Sequence, residues 1–169
     1  MKHLFCSKHA WFYSIIKAHI SLVRHEIYVI STKLIYMNEA VCYGEILWDV
    51  TPSGEQPGGA PMNVAYHLQK LGIPSGVISR RGSDTRGDEL VALLDSYQIS
   101  TKYVQQDHYY PTGLVHAHLK EGNQVEYDIV RPVAWDYIEM KSELLSLVTN
   151  ARYFVFGSLA SRNEVSRNN

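Results

Sequence analysis

The stretch PGGAPMNVAYHLQKLG, Pro57 to Gly72, sets a glycine pair, a proline and an asparagine directly before a helical pattern. Pro61 suits the first turn of a helix, where a missing N–H costs nothing. Val64, Ala65, Leu68 and Leu71 fall at helical spacing and form the expected buried face, opposite a polar stripe of Asn63, His67 and Lys70. Gly72 is placed to cap the C-terminus and Pro74 blocks continuation. Gly58 and Gly59 allow backbone conformations closed to other residues and let a ligand approach the main chain. Two readings are open: an ordinary turn into a helix, with Asn63 satisfying local backbone groups, or one wall of a binding site.

The flanking segments favour an α/β protein. AVCYGEILWDV, Ala40 to Val50, reads as one buried strand, and TPSGEQPGG after it as a loop. SGVISRRG is a second strand, and GDELVALLDSYQI a second amphipathic helix with Leu90, Val91, Leu94 and Tyr97 in register. A strand–helix–strand–helix order predicts a parallel sheet covered by helices. TGLVHAHLKEGNQVEYDIVR alternates on both sides of Glu121-Gly122-Asn123, with Val115, Ala117 and Leu119 opposite His116 and His118, as in an antiparallel hairpin. A helix, MKSELLSLVTNA, and an apolar strand, RYFVFGSLA, follow. That strand has the composition of a central parallel strand, and no further strand or helix is expected after it to cover it.

Composition excludes several classes. At 169 residues, 20% charged and net charge −1, the chain gives no global electrostatic argument for nucleic acid or a membrane surface. The charge is nevertheless uneven. Residues 1–36 hold five basic side chains against Glu26, and the rest holds 11 basic and 16 acidic ones. The longest uncharged, histidine-free run of the first 36 residues, AWFYSII, is far too short to span a bilayer. Residues 1–36 are read as an extension and 37–169 as the domain, beginning at MNEAVCYGEILWDV. Cys6 and Cys42 show no disulfide or metal spacing, consistent with reduced thiols in a cytoplasmic protein. His116 and His118 lack the cysteine or carboxylate neighbours of a metal site, so none is expected.

The chemistry of the opening junction points to hydroxyls. The chain holds neither G-x-x-x-x-G-K-[ST] nor G-x-G-x-x-G, and Pro61 removes one N–H that a phosphate would use. The missing glycine fingerprint also argues against a dinucleotide-binding domain. Asp49, expected at the end of the first strand where open α/β sheets bind ligands, can accept two hydroxyl protons at once. Glu45 and Trp48 read as structural.

Together, Gly44, Asp49, the Gly58-Gly59-x-x-x-Asn63 helix opening, RGSDTRGDEL with Gly82, Asp84 and Gly87, PTGLVHAHL, RPVAWDYI and FGSLASR resemble the ribokinase-like (PfkB-type) carbohydrate kinases, above all bacterial fructokinases. Ser83 stands where that family usually has an acid. The resemblance runs from about Ala40 to Arg167. It implies a three-layer αβα, Rossmann-like fold with a small β-lid hairpin, of which this chain is the N-terminal portion. It implies that Asp49, Gly58, Gly59 and Asn63 bind sugar hydroxyls, with Arg131 a further substrate contact. ATP and Mg2+ are implied as cofactors. The Gly-Ala-Gly-Asp turn that carries the family's catalytic base is not in these residues, and neither is the nucleotide site. The chain alone is therefore expected to be inactive, unstable and prone to aggregate through an exposed sheet edge. The segment Val50–Pro57 is short for a second lid hairpin, which puts a lid-mediated homodimer in doubt. A non-catalytic sugar-binding module, or a kinase of the same family for ribose, 2-keto-3-deoxygluconate or a nucleoside, are the other readings.

Overall fold

A computed structural model describes residues 39–120 and 124–169. The expected extension over residues 1–36, the domain start at Met37, Cys6 and the hairpin tip Glu121–Asn123 lie outside the described residues.

The first expected strand divides in two. β1 (Ala40–Tyr43) and β2 (Leu47–Thr51) belong to different sheets. The chain turns between them at Gly44, where φ is +139° and a Cβ would lie 2.9 Å from Pro61 Cγ. Hydropathy alone gives no sign of this break, because both halves are apolar. β4 (Ser75–Gly82), β5 (Val104–Asp107) and β8 (Tyr153–Phe156) complete a parallel sheet in the order β5-β4-β1-β8. Successive residues of β1 and β4 point to opposite faces. Cys42 and Val77 join Ile46, Met62, Ala65, Leu90, Leu94 and Ile99 on one face, under α1 (Ala60–Lys70) and α2 (Thr85–Ser96). Val41 and Ile78 join Ile138 and Leu144 on the other, under the 3-10 turn Ala134–Tyr137 and α3 (Ser142–Asn150). Helices on both faces give the three layers expected, and they explain why the strands read as continuous apolar runs.

α1 meets its expected stop. Gly72 has φ +79°, its N–H donates to Gln69 O at 3.0 Å, and the Ile73 N–H donates to Leu68 O at 3.0 Å, the paired bonds of a glycine C-cap. Its buried face is rotated from the expected one. Pro61, Met62 and Ala65 are buried, whereas Val64 and Leu71 are exposed. The register follows from docking onto β1 and β4 through the first turn, and Leu71 lies beyond the last helical residue.

The segment expected to be a loop is a strand. β3 (Gly54–Gly58) pairs antiparallel with β2 across the turn Pro52-Ser53, with Thr51 Oγ1 donating to Gly54 O at 2.9 Å. Pro57 is tolerated because β3 is an edge strand. β2 runs parallel to β6 (Gly113–Leu119), which pairs antiparallel with β7 (Val125–Ile129). The lid is thus a four-stranded sheet, β3-β2-β6-β7, rather than one small hairpin. The second lid hairpin, for which Val50–Pro57 reads as short, is present as β2 and β3.

Two carboxylates tie loops to this frame. Asp84 caps α2 by accepting from the Gly87 N–H at 2.8 Å, and accepts from the Thr112 N–H at 2.8 Å and the Thr112 hydroxyl at 2.7 Å. Burial pushes its carboxyl up, but the Thr112 and Gly87 donors outweigh that and hold its pKa below the ordinary value. Asp84→Ala should cost about 2–3 kcal/mol in urea denaturation at neutral pH, through the lost cap and two stranded donors. Because the folded pKa is depressed, the wild-type advantage is present above about pH 3.9 and disappears as pH falls through the folded value. The second is buried Asp136, which binds Arg162 through Nε at 2.6 Å and Nη2 at 2.8 Å, while the Arg162 guanidinium stacks 3.9 Å from the Trp135 ring centroid. Arg162 lies in a 3-10 turn (Ser158–Arg162) that is followed by the short helix α4 (Glu164–Arg167). These elements after β8 correct the expectation that no helix follows it. They pack on Ala134–Tyr137 and leave the outer edge of β8 bare, its only described strand partner being β1.

Candidate functional site

β2, β3 and the start of α1 converge where the lid meets the parallel body. Asp49 sits in the middle of β2, opposite Gln56 of β3 and Val115 of β6, not at the end of the first strand of the body. Gly58, opposite Leu47, closes β3. A Cβ on Gly58 would coincide with the Asp49 carboxylate, so the acid lies directly over the glycine backbone. Gly59 has φ +109°, and a Cβ there would run into the Glu45 carbonyl. Asn63 stands exposed in the first turn of α1, its N–H donating to Gly59 O at 2.9 Å. The N-cap residue, Gly59, has no side chain to cap with, and the Ala60 N–H at the helix start donates to Glu45, so capping does not account for the asparagine. Asp49, Gly58, Gly59 and Asn63 therefore share one junction.

Arg131 lies on another segment. It is exposed after β7 and lines a cleft of about 250 Å³ with Pro132, Asp136, Arg162 and Asn163, and the Arg162 charge of that cleft acts on Glu45 at the junction.

The electrostatics of the junction are set by burial. Asp49 is half-buried and desolvation pushes its carboxyl above the ordinary value. Among the described residues no ion pair engages it. A carboxylate in this state gains from donors that replace lost water.

Glu45 and Trp48, read as structural, prove to hold the junction in place. Glu45 is buried, its Oε1 accepting from the Ala60 N–H at 3.1 Å at the helix start while Oε2 has no partner. Desolvation raises its pKa, against the bonds from Glu45 and Ala60 N–H groups and the Arg162 charge. The Trp48 indole donates to Arg86 O at 3.0 Å, and Arg86 in turn grips Glu55 of β3 with bonds of 2.9 and 2.6 Å. The signal for Glu45 in the sequence is its place after Gly44, where a positive-φ turn drives the next side chain inward. Cys42 is a free, buried thiol pushed up to about 11 by burial.

A phosphate or nucleotide does not fit these residues. The N-termini of α1 and α2, the helices beside the junction, already hold the carboxylates of Glu45 and Asp84, and Pro61 contributes no N–H. Among the described residues no cluster of three or more His, Cys, Asp or Glu side chains could hold a metal ion. No described helix is long and apolar enough to cross a membrane.

A parallel αβα body with a lid sheet defines a lidded α/β domain, with the Asp49 carboxylate facing the glycine-paired helix start. Residues 24–167 match the family model of the pfkB family carbohydrate kinases. Fructokinase-2 of Zea mays is 33% identical over 143 residues, covering 77% of this chain and 43% of its own length. An uncharacterized sugar kinase from Pyrococcus horikoshii, solved also in complex with ATP, superposes with a TM-score of 0.70 at 27% identity, over 76% of this chain and 48% of that one. A double mutant of Vibrio cholerae O395 fructokinase, solved with fructose, ADP and potassium, gives 0.65 at 25% identity, over 78% and 44%. The chain belongs to the pfkB family of carbohydrate kinases, is fructokinase-like, and spans about half the length of the relatives it matches.

Proposed function

We propose that the Asp49–Gly58–Gly59–Asn63 junction is the sugar-binding half of a fructokinase-type site, with fructose as the substrate. The observation that carries this reading is the half-buried, unpaired Asp49 carboxylate lying over Gly58, with the lid on one side and the exposed Asn63 amide on the helix. Asp49 accepts two adjacent sugar hydroxyls. The Gly58-Gly59 backbone lets the ring approach the main chain, and Asn63 supplies both a donor and an acceptor. The lid sheet excludes water around the bound sugar, which protects a phosphoryl group in transit from hydrolysis. Fructose recorded with the Vibrio cholerae relative supports this choice of sugar.

In the complete reaction, the sugar hydroxyl oxygen attacks the γ-phosphorus of ATP, the bond to ADP breaks, and the hydroxyl proton passes to a base. These 169 residues contain no Gly-Ala-Gly-Asp turn to supply that base. A missing general base alone costs about 10²–10⁴ in rate, and missing oxyanion-type donors about 10²–10³ more. The chain should therefore bind sugar without turning it over. Calorimetric titration with fructose, ribose, 2-keto-3-deoxygluconate and a nucleoside tests the assignment, with a coupled ADP assay on the same samples. Fructose binding without ADP release is the expected result. Preference for another of the four compounds transfers the assignment to that compound. ATP-dependent phosphorylation by the purified chain would overturn the claim that the reacting groups lie outside it.

A further inference from the structure

The two faces of the β2–β3 hairpin carry different chemistry. On one face Trp48 of β2 and Glu55 of β3 both reach Arg86 of α2. The Trp48 indole donates to Arg86 O at 3.0 Å, and the Glu55 carboxylate accepts from the Arg86 guanidinium at 2.9 and 2.6 Å. Successive side chains of a strand point to opposite faces. The next residue of each strand, Asp49 and Gln56, therefore belongs to the other face, where the Asp49 carboxylate lies over Gly58. Asp49 and Gln56 are direct partners across the antiparallel pair. Cβ atoms of such partners lie about 4.5–5.5 Å apart, so the two side chains reach one small ligand. The row continues from Asp49 to Val115 of β6 and Ile129 of β7, both apolar, with Val115 buried. Its polar side chains thus stand only toward β3. Gln56 is exposed, and β3 is tied down through its neighbours, Gly54 accepting from Thr51 and Glu55 from Arg86, with no hydrogen bond to the Gln56 amide among the described residues.

We propose that Gln56 is a specificity-determining residue of the junction, its amide holding one sugar hydroxyl beside those held by Asp49. This role rests on the sugar-binding reading of the junction and adds a residue to it. An ionised carboxylate only accepts, so every hydroxyl on Asp49 must donate. Gln56 brings two N–H donors and a carbonyl acceptor to the next position of the sheet, and takes a hydroxyl in either role. Val115, on the other side of Asp49, offers neither. A sugar under the lid accordingly turns its run of hydroxyls toward β3 and its C–H groups toward β6. Discrimination follows from what an imperfect sugar leaves behind. Water satisfies the exposed Gln56 amide in the free chain, but a ring that covers the amide and lacks the matching hydroxyl strands it. A site built to hydrogen-bond a hydroxyl rejects the analogue without it for this reason.

The test is calorimetric titration of the full 169-residue chain as wild type, Gln56→Ala and Asp49→Asn. The ligands are fructose and analogues that each lack one hydroxyl, at C1, C2, C3, C4, C5 or C6. Gln56→Ala should weaken fructose binding about three- to tenfold, the loss expected for one neutral hydrogen bond. Its melting temperature should match wild type, because Gln56 is exposed and outside both cores. One analogue should bind wild type about three- to tenfold more weakly than fructose yet bind Gln56→Ala as well as fructose does. Such coupling between one side chain and one hydroxyl identifies a direct contact; a merely structural role would weaken fructose and every analogue alike. Unchanged ratios to fructose for all the analogues in Gln56→Ala would overturn the role of Gln56. If Asp49→Asn still weakens fructose binding in that case, the sugar site stands without Gln56. Fructose binding undiminished in Asp49→Asn, or absent from wild type, would instead remove the sugar site itself, and the Gln56 assignment with it.

Discussion

Asp49→Asn should reduce fructose affinity by about two orders of magnitude while leaving the fold intact or slightly more stable. Hydrogen bonds to a charged group contribute about 1.5–3 kcal/mol each, and about 1.4 kcal/mol is tenfold in affinity. Losing the charge under two hydroxyls, with an amide N–H now facing one of them, gives that loss. The stability arm has the opposite sign. Desolvation raises the Asp49 pKa in the folded chain above its unfolded value, so the native state holds the proton more tightly. The resulting stabilisation is fully present below about pH 3.9 and is lost as pH rises through the folded pKa. At neutral pH the ionised acid is a net cost that asparagine removes. Calorimetric titration and thermal melting at pH 7 on the same samples check both arms. A variant that melts well below wild type would make Asp49 a structural acid and remove the basis for the sugar assignment.

The adjacent glycines should behave differently from each other. A methyl group on Gly58 meets the end of the Asp49 side chain, which can swing away. Gly58→Ala should therefore fold nearly normally but lose sugar binding along with the position of the carboxylate. A methyl group on Gly59 meets the Glu45 carbonyl and lies 3.3 Å from Ile46 Cα, at a residue with φ +109°. That backbone cannot give without shifting the crossing from β1 to β2. Gly59→Ala should cost about 3 kcal/mol, since strained positive-φ positions cost about 1–3 kcal/mol and overpacking adds a similar amount. Urea denaturation of the two variants beside wild type separates the effects. Equal destabilisation by both would mean that the pair serves the turn alone.

Much of the frame was legible because local chemistry specifies it. The Gly72 stop, the α2 register through Leu90 and Leu94, and the alternation of the 113–129 hairpin each depend on residues a few positions apart. The misreadings arose where distant partners decide. β3 reads as a loop because Gly, Pro and Gln predominate in it, yet pairing with β2 satisfies its backbone whatever its side chains are. Periodicity places Val64 inward, but docking through Pro61, Met62 and Ala65 turns the helix by about one residue. Asp84 resembled a motif residue, and its three donors from two segments make it a tie between α2 and Thr112.

The sequence by itself determined the α/β class and the glycine-paired helix start, because residue type and short-range spacing fix backbone freedom. Tertiary structure alone decided that Asp49 belongs to the lid, that its carboxylate lies over Gly58, and that Glu45 rather than a ligand holds the Ala60 N–H. Those facts rest on a turn at Gly44 that sends the chain from one sheet to the other, and on pairing between distant strands. Contacts of that kind are set by the packing of the whole, and no window of neighbouring residues encodes them.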